Sequence, residues 1–176
     1  MERKIVHIVG TGTIGEPLIG LLCDYRDQLG IDGITFHKNT ALLGDRSKVL
    51  DLIDRGARLA VDEERVNDFK KLNMDPDFET EEAIKRAMVV IDCTPRGIGH
   101  VNKNLYYEKF KDDVKGFLAQ GSEDGFGKKY ARGINDQALD ANDQFIQIVS
   151  CNTHNVSCIT DVLAVTNDPD NLVVGK

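Results

Sequence analysis

The sequence contains no tryptophan and only four prolines and four cysteines among 176 residues. The cysteines, Cys23, Cys93, Cys151 and Cys158, form no C-x-x-C pair, which removes the zinc-ribbon and thioredoxin-like readings, and no metal site is expected. They read as free thiols of a reducing compartment. No apolar run approaches the roughly 20 residues that a helical membrane span needs. Met1-Glu2-Arg3-Lys4 passes straight into a short apolar strand, without the longer apolar stretch and small-residue cleavage site of a signal peptide. The expected location is therefore the cytoplasm, with no membrane partner. Basic residues are also scarce: 22 Lys and Arg stand against 29 Asp and Glu, a formal charge of -7. Nucleic acid, which needs positive surface to neutralise phosphates, is not an expected partner. A phosphorylated small ligand remains open, because a few local donors hold one phosphate on an acidic protein.

What the chain does have is an alternation of short apolar runs with amphipathic ones, the pattern of an α/β sheet. Lys4 to Val9 reads as a buried strand, Thr13 to Leu29 as a helix ended by Gly30, and Gly33 to Phe36 as the second strand. Asp45 reads as a helix N-cap and Gly56 as that helix's stop. Further helices are expected at Glu63 to Leu72, from Thr80, and over Gly99 to Phe110. Strands are expected at Ala87 to Ile91, Val114 to Ala119 and Phe145 to Val149. Ser122 to Asp143 reads as loop with short helix, and Asn152 to Val165 as a helix. A last strand-like run begins at Leu172, where the chain ends. The expected organisation is a Rossmann-like, doubly wound dinucleotide-binding domain over residues 1–149. Residues 150–176 are expected to begin a second, catalytic domain cut short.

Gly10-Thr11-Gly12-Thr13-Ile14-Gly15 matches G-x-G-x-x-G. The pattern alone is weak, but here it follows a strand and opens a helix within one β-α-β unit. Gly10 permits the tight turn, Gly12 lets the backbone approach a pyrophosphate, and Gly15 lets helix and strand pack closely. The helix N-terminus supplies N–H groups and partial positive charge. The acid that normally binds the ribose 2′-hydroxyl of NAD is missing from His37-Lys38-Asn39-Thr40. Lys38 and Asn39 offer donors to a 2′-phosphate instead, so the cofactor is NADP or NAD, with NADP favoured.

Two strand ends carry further candidates. Cys93, Thr94 and Pro95 follow the strand at Val89, where ligands of doubly wound sheets sit. Ser150-Cys151-Asn152-Thr153 follows the strand at Phe145 and opens a helix. A thiol at a helix start is favoured as thiolate, the reactive form, and Asn152 and Thr153 add donors for an oxyanion or a phosphate. A buried, inert cysteine fits the same position. Cys23 and Cys158 fall inside helices.

The glycine loop, Val90-Ile91-Asp92-Cys93-Thr94-Pro95-Arg96-Gly97-Ile98-Gly99, then Asn102, Tyr106, Gln120-Gly121 and Val149-Ser150-Cys151-Asn152-Thr153 occur in that order. Together they resemble the archaeal-type glyceraldehyde-3-phosphate dehydrogenases, over nearly the whole chain and most weakly between Thr40 and Ala87. The resemblance implies phosphorylating oxidation of a small phosphorylated aldehyde, with phosphate as co-substrate, in a homotetramer of glycolysis and gluconeogenesis. It implies cofactor contacts at Thr13, Ile14 and Gly121, substrate contacts at Ser150 and Asn152, and Cys151 as the nucleophile. Two departures stand out. The family continues with Thr-Gly where this chain has His154-Asn155, side chains that lie beside the nucleophile. The family's catalytic histidine and most of its phosphate-binding residues lie further along than Lys176. A related semialdehyde or acyl-phosphate reductase, or a nucleotide-binding module without catalysis, fits the same residues.

Overall fold

A computed structural model describes residues 3–120 and 123–166. The expected run at Leu172 lies outside the described residues. Eight parallel strands form one sheet in the order β4-β3-β2-β1-β5-β6-β8-β7. They are β1 (Ile5–Val9), β2 (Gly33–His37), β3 (Ala57–Val61), β4 (Phe78–Glu79), β5 (Val89–Asp92), β6 (Gly116–Ala119), β7 (Lys128–Tyr130) and β8 (Phe145–Ile148). The chain runs outward from β1 to β4, returns to the far side of β1 for β5 and β6, forms the far edge as β7, and turns back to insert β8 between β6 and β7. The reversal falls between β1 and β5, the switch point where doubly wound sheets open a crevice at the strands' carboxyl ends.

Parallel strands are covered on both faces, so most of their central residues are apolar, with His7 and Thr35 as a buried polar pair. Val6, Ile8, Ile34, Phe36 and Leu59 face helices α1 (Gly15–Asp24), α3 (Arg46–Asp54) and α4 (Val66–Lys71), and pack with Ile19, Val49, Leu52 and Phe69. Val9, Val90, Phe117 and Ala119 form the second layer, with Ile84 of α5 (Thr80–Lys85), Tyr107 and Phe126. There Phe117 stacks between Tyr107 and Phe145, each at 5.0 Å between centroids. This aromatic stack joins β8 to the sheet and so places the residues that follow it.

The expected helix over Thr13 to Leu29 is divided at Tyr25 (φ -103°, ψ 11°) into α1 and the single turn α2 (Arg26–Leu29), which ends on left-handed Gly30 as expected. The helix expected over Gly99 to Phe110 is α6 (Ile98–Leu105) followed by a 3-10 turn at Tyr107–Lys109. The last helix, α7, spans Cys151–Thr160 and continues in π form over Asp161–Val165. Three strands were not foreseen. In β3 the run Ala-Arg-Leu-Ala-Val carries an exposed charge and weak strand formers. In β4 only two residues pair. In β7, Lys128 and Lys129 make an edge strand polar, as edges that avoid further pairing are. Among the described residues no helix is long and apolar enough to cross a membrane.

Candidate functional site

The glycine loop leaves β1 at the switch point. Gly10 takes φ +95°, a left-handed conformation that L side chains rarely adopt. Its N–H donates to the His37 carbonyl at 3.2 Å, which ties the turn to β2. Gly12 has no atom within 4 Å of a would-be Cβ, so its face is open to the cleft. Gly15 is the reverse: a Cβ there would lie 1.9 Å from the Gly10 carbonyl oxygen. Helix α1 then begins with no side chain capping its first turn, the state in which a helix N-terminus is ready for an anion. These features fit a dinucleotide pyrophosphate.

A cleft of about 1160 Å³ runs across the carboxyl ends of the strands. Its wall contains Gly10, Gly12, Thr13, Ile14, Lys38, Asn39, Thr94, Pro95, Ser150 and Cys151. Gly15 lies buried beneath the loop rather than on the wall. Gly121 lies outside the described residues. Asn152 and Thr153 are exposed but not part of the cleft wall.

Lys38 is nearly buried, and its ammonium donates to Asp45 at 2.7 Å. That hydrogen bond, reinforced by the lysine's charge, holds the Asp45 carboxyl below its usual range. Asp45 thus restrains Lys38 instead of capping α3, for which it makes no side-chain bond. An ammonium has three donors, so one bond to Asp45 leaves donors for a ligand.

The end of β5 is built around Asp92, buried and on the second-layer face. One carboxylate oxygen accepts from the Thr94 backbone N–H at 2.9 Å and from its hydroxyl. The other accepts from Asn102 Nδ2 at 2.9 Å and from the Tyr107 phenol at 2.5 Å. This fixes the turn Thr94-Pro95 at the cleft. Beyond the turn, left-handed Gly97 precedes α6 and its N–H donates to Glu123, a buried carboxylate. Sequence reasoning singled out neither acid as a site residue. Asp92 stands inside the Asp-Cys-Thr-Pro segment that carries the resemblance, whereas nothing local distinguishes Glu123.

Cys93 and Cys151 both reach the cleft. Cys93 is wedged under the loop, 3.3 Å from where a Gly15 Cβ would stand. Burial, with the Asp92 charge beside it, pushes its thiol up to about 12. Cys151 is exposed at the first position of α7. Ser150 is the N-cap: its hydroxyl accepts from the Thr153 N–H at 3.2 Å and pairs with the Thr153 hydroxyl at 2.9 Å. Thr153 is thereby turned to the cap. Asn152 Oδ1 lies 4.0 Å from the Cys151 sulfur. His154 Nε2 donates to the Arg132 carbonyl at 2.9 Å.

No protein-family model matches the chain. Among proteins of known name it is 39% identical to glyceraldehyde-3-phosphate dehydrogenase 2 of Methanosarcina acetivorans over 156 residues, covering 87% of this chain and 43% of that protein. It is 31% identical to the glyceraldehyde-3-phosphate dehydrogenase of Methanococcoides burtonii over 87% of this chain and 43% of that one. With the enzyme of that name from Pyrobaculum arsenaticum it shares 29% over 86% and 42%. The chain therefore spans less than half the length of the relatives it matches. It is related to the archaeal glyceraldehyde-3-phosphate dehydrogenases and corresponds to their N-terminal part.

Proposed function

We propose that this chain binds NADP or NAD across the cleft and carries the nucleophile of a phosphorylating aldehyde oxidation, with glyceraldehyde 3-phosphate as substrate. The observation that supports this reading is that the glycine loop and exposed Cys151 line one cleft. Residues 1–149 form the dinucleotide-binding part and residues 150–176 begin the catalytic part. Gly10, Gly12, Thr13 and Ile14 receive the pyrophosphate over the start of α1. Thr94-Pro95 borders the nicotinamide half, and Gly121 is a cofactor contact that the family resemblance implies.

The bound nicotinamide supplies the hydride acceptor. The chain supplies the nucleophile and the polar groups beside it. The Cys151 thiolate adds to the aldehyde carbon and the carbonyl oxygen takes up a proton. Loss of hydride and of that proton leaves an acyl thioester on Cys151. Phosphate then attacks the acyl carbon and the thiolate departs, which restores Cys151 and releases the acyl phosphate. Asn152 and Ser150 border the sulfur and provide polar atoms for the substrate. Lys38 and Asn39 lie where a 2′-phosphate projects, and the absence of an acid there favours NADP. The working assembly is a homo-oligomer, a tetramer as in the family it resembles.

Calorimetric titration tests the cofactor half of this reading. NADP is expected to bind the chain at least as tightly as NAD. A clear preference for NAD removes the role given to Lys38, and binding of neither removes the reading.

A further inference from the structure

The cleft continues past the glycine loop to the ends of β2 and β3, where His37 and Asp62 stand on its wall. His37 closes β2 and Asp62 immediately follows β3. Asp62 Oδ1 accepts from the Thr80 hydroxyl at 2.6 Å and faces His37 Nε2 at 3.5 Å. His37 Nε2 is buried and has no hydrogen-bond partner among the described residues. The Asp62 side chain keeps 24% of its surface exposed and stands in the cleft wall. No hydrogen bond among the described residues reaches its second oxygen, Oδ2. Tyr106, whose phenol feels the Asp62 charge, and Leu42 stand on the same cleft wall. Burial, together with the charges of Asp62 and Glu81, raises the Tyr106 phenol. The His37 imidazole and the Thr80 hydroxyl hold the Asp62 carboxyl below its usual range. Asp62 is thus a carboxylate, which accepts hydrogen bonds and donates none.

In a doubly wound sheet with its glycine loop after β1, the β2–β3 side takes the adenosine half of a dinucleotide. Cys151, after β8, marks the opposite, reacting end. An acceptor beside aromatic and apolar surface suits a flat base that offers an N–H. We propose that Asp62 reads the base: Oδ2 accepts from the exocyclic amine of adenine, and the site is selective for adenine over hypoxanthine. His37 and Thr80 are positioning residues that fix the carboxylate through Oδ1. Hypoxanthine presents a carbonyl oxygen where adenine has its amine, and that oxygen meets the carboxylate with no proton between them.

This inference rests on the dinucleotide reading above, and the test separates the two. The Kd values of NADP and of its hypoxanthine analogue are measured by calorimetry with the whole chain. The wild type is expected to bind the analogue at least about tenfold more weakly, the size of effect of one hydrogen bond to a charged acceptor. Asp62→Asn, whose amide accepts from Thr80 and also offers an N–H to a base carbonyl, is expected to bring the two within about threefold. Equal binding of both by the wild type overturns the proposal, and so does an equal weakening of both in D62N. If D62N does not fold by circular dichroism, the wild-type ratio decides. If the wild type binds neither dinucleotide, the cofactor reading falls as well.

Discussion

The carbonyl oxygen of Gly10 lies 1.9 Å from the point a Cβ on Gly15 would occupy. The first and last glycines of the loop are thus in backbone contact, and the helix can start so close to β1 only because the last has no side chain. The middle one, Gly12, meets nothing within 4 Å. Two glycines of the pattern therefore serve the fold, and Gly12 is left open for the proposed binding role.

Gly15→Ala and Gly12→Val separate those roles. Gly15→Ala forces backbone against backbone, and is expected to destabilise the fold by about 1–3 kcal/mol or more. Gly12→Val has room in the free protein and is expected to melt within a few degrees of wild type. It should nevertheless lose NADP binding at least tenfold, because the branched side chain fills the approach to the pyrophosphate. Thermal melts and calorimetry on both variants check this. A Gly12→Val chain that binds normally removes the loop from the proposed site.

Asp92 divides its carboxylate between two tasks, with one oxygen on Thr94 and the other on Asn102 and Tyr107. Tyr107→Phe keeps the ring stacked on Phe117 but leaves a buried carboxylate short of a donor. A loss of about 1–3 kcal/mol of stability is expected, measured by urea unfolding. The Thr94 turn is held by the other oxygen, so NADP affinity should stay within about twofold. An unchanged unfolding midpoint would show that the short phenol contact contributes nothing.

The four thiols should differ in reactivity. Burial pushes the Cys93 thiol up to about 12, and it also raises that of Cys23. Cys151 is exposed at the start of a helix capped by Ser150. Brief alkylation with iodoacetamide at neutral pH, read by peptide mass spectrometry, is expected to label Cys151 first and Cys93 last. Early labelling of Cys93 in the folded chain would refute the nucleophile assignment.

Much of this architecture was legible from sequence because periodicity and glycine placement report on local geometry. The loop Gly10 to Gly15 follows directly from such signals, and the strand ends expected at Ile91 and Val149 and the helix expected from Asn152 each fall within one residue of Asp92, Ile148 and Cys151. The cleft's polar supports did not. Lys38 reads as a free donor until Asp45, seven residues on, is seen to hold it. Asp62 follows a strand too charged and alanine-rich to recognise, and its partners His37 and Thr80 come from different elements. Glu123 reaches Gly97 across 26 residues. Such pairings depend on the sheet order, which no local pattern encodes.

His7 gives the fold a pH dependence that can be assigned to one residue. It sits at the centre of β1, wholly buried, with Nδ1 2.7 Å from the Thr35 hydroxyl and no partner for Nε2 among the described residues. Burial, with His37 nearby, pushes its pKa down to about 3 from 6.5. As pH falls below 6.5 the unfolded chain takes up a proton at His7 that the folded chain refuses until about pH 3. The contribution is therefore fully present above pH 6.5 and is lost steadily as pH falls toward 3, by about 1.4 kcal/mol for each pH unit. Urea unfolding of the wild type and of His7→Leu at pH 7, 6 and 5 checks this. The variant removes the titrating group, although it leaves the Thr35 hydroxyl without its partner and should be less stable at pH 7. Its stability is expected to fall less steeply between pH 6 and 5, by about one proton's worth. Parallel lines for the two proteins would show that His7 is protonated in the folded chain, and that its burial is compensated by a partner for Nε2.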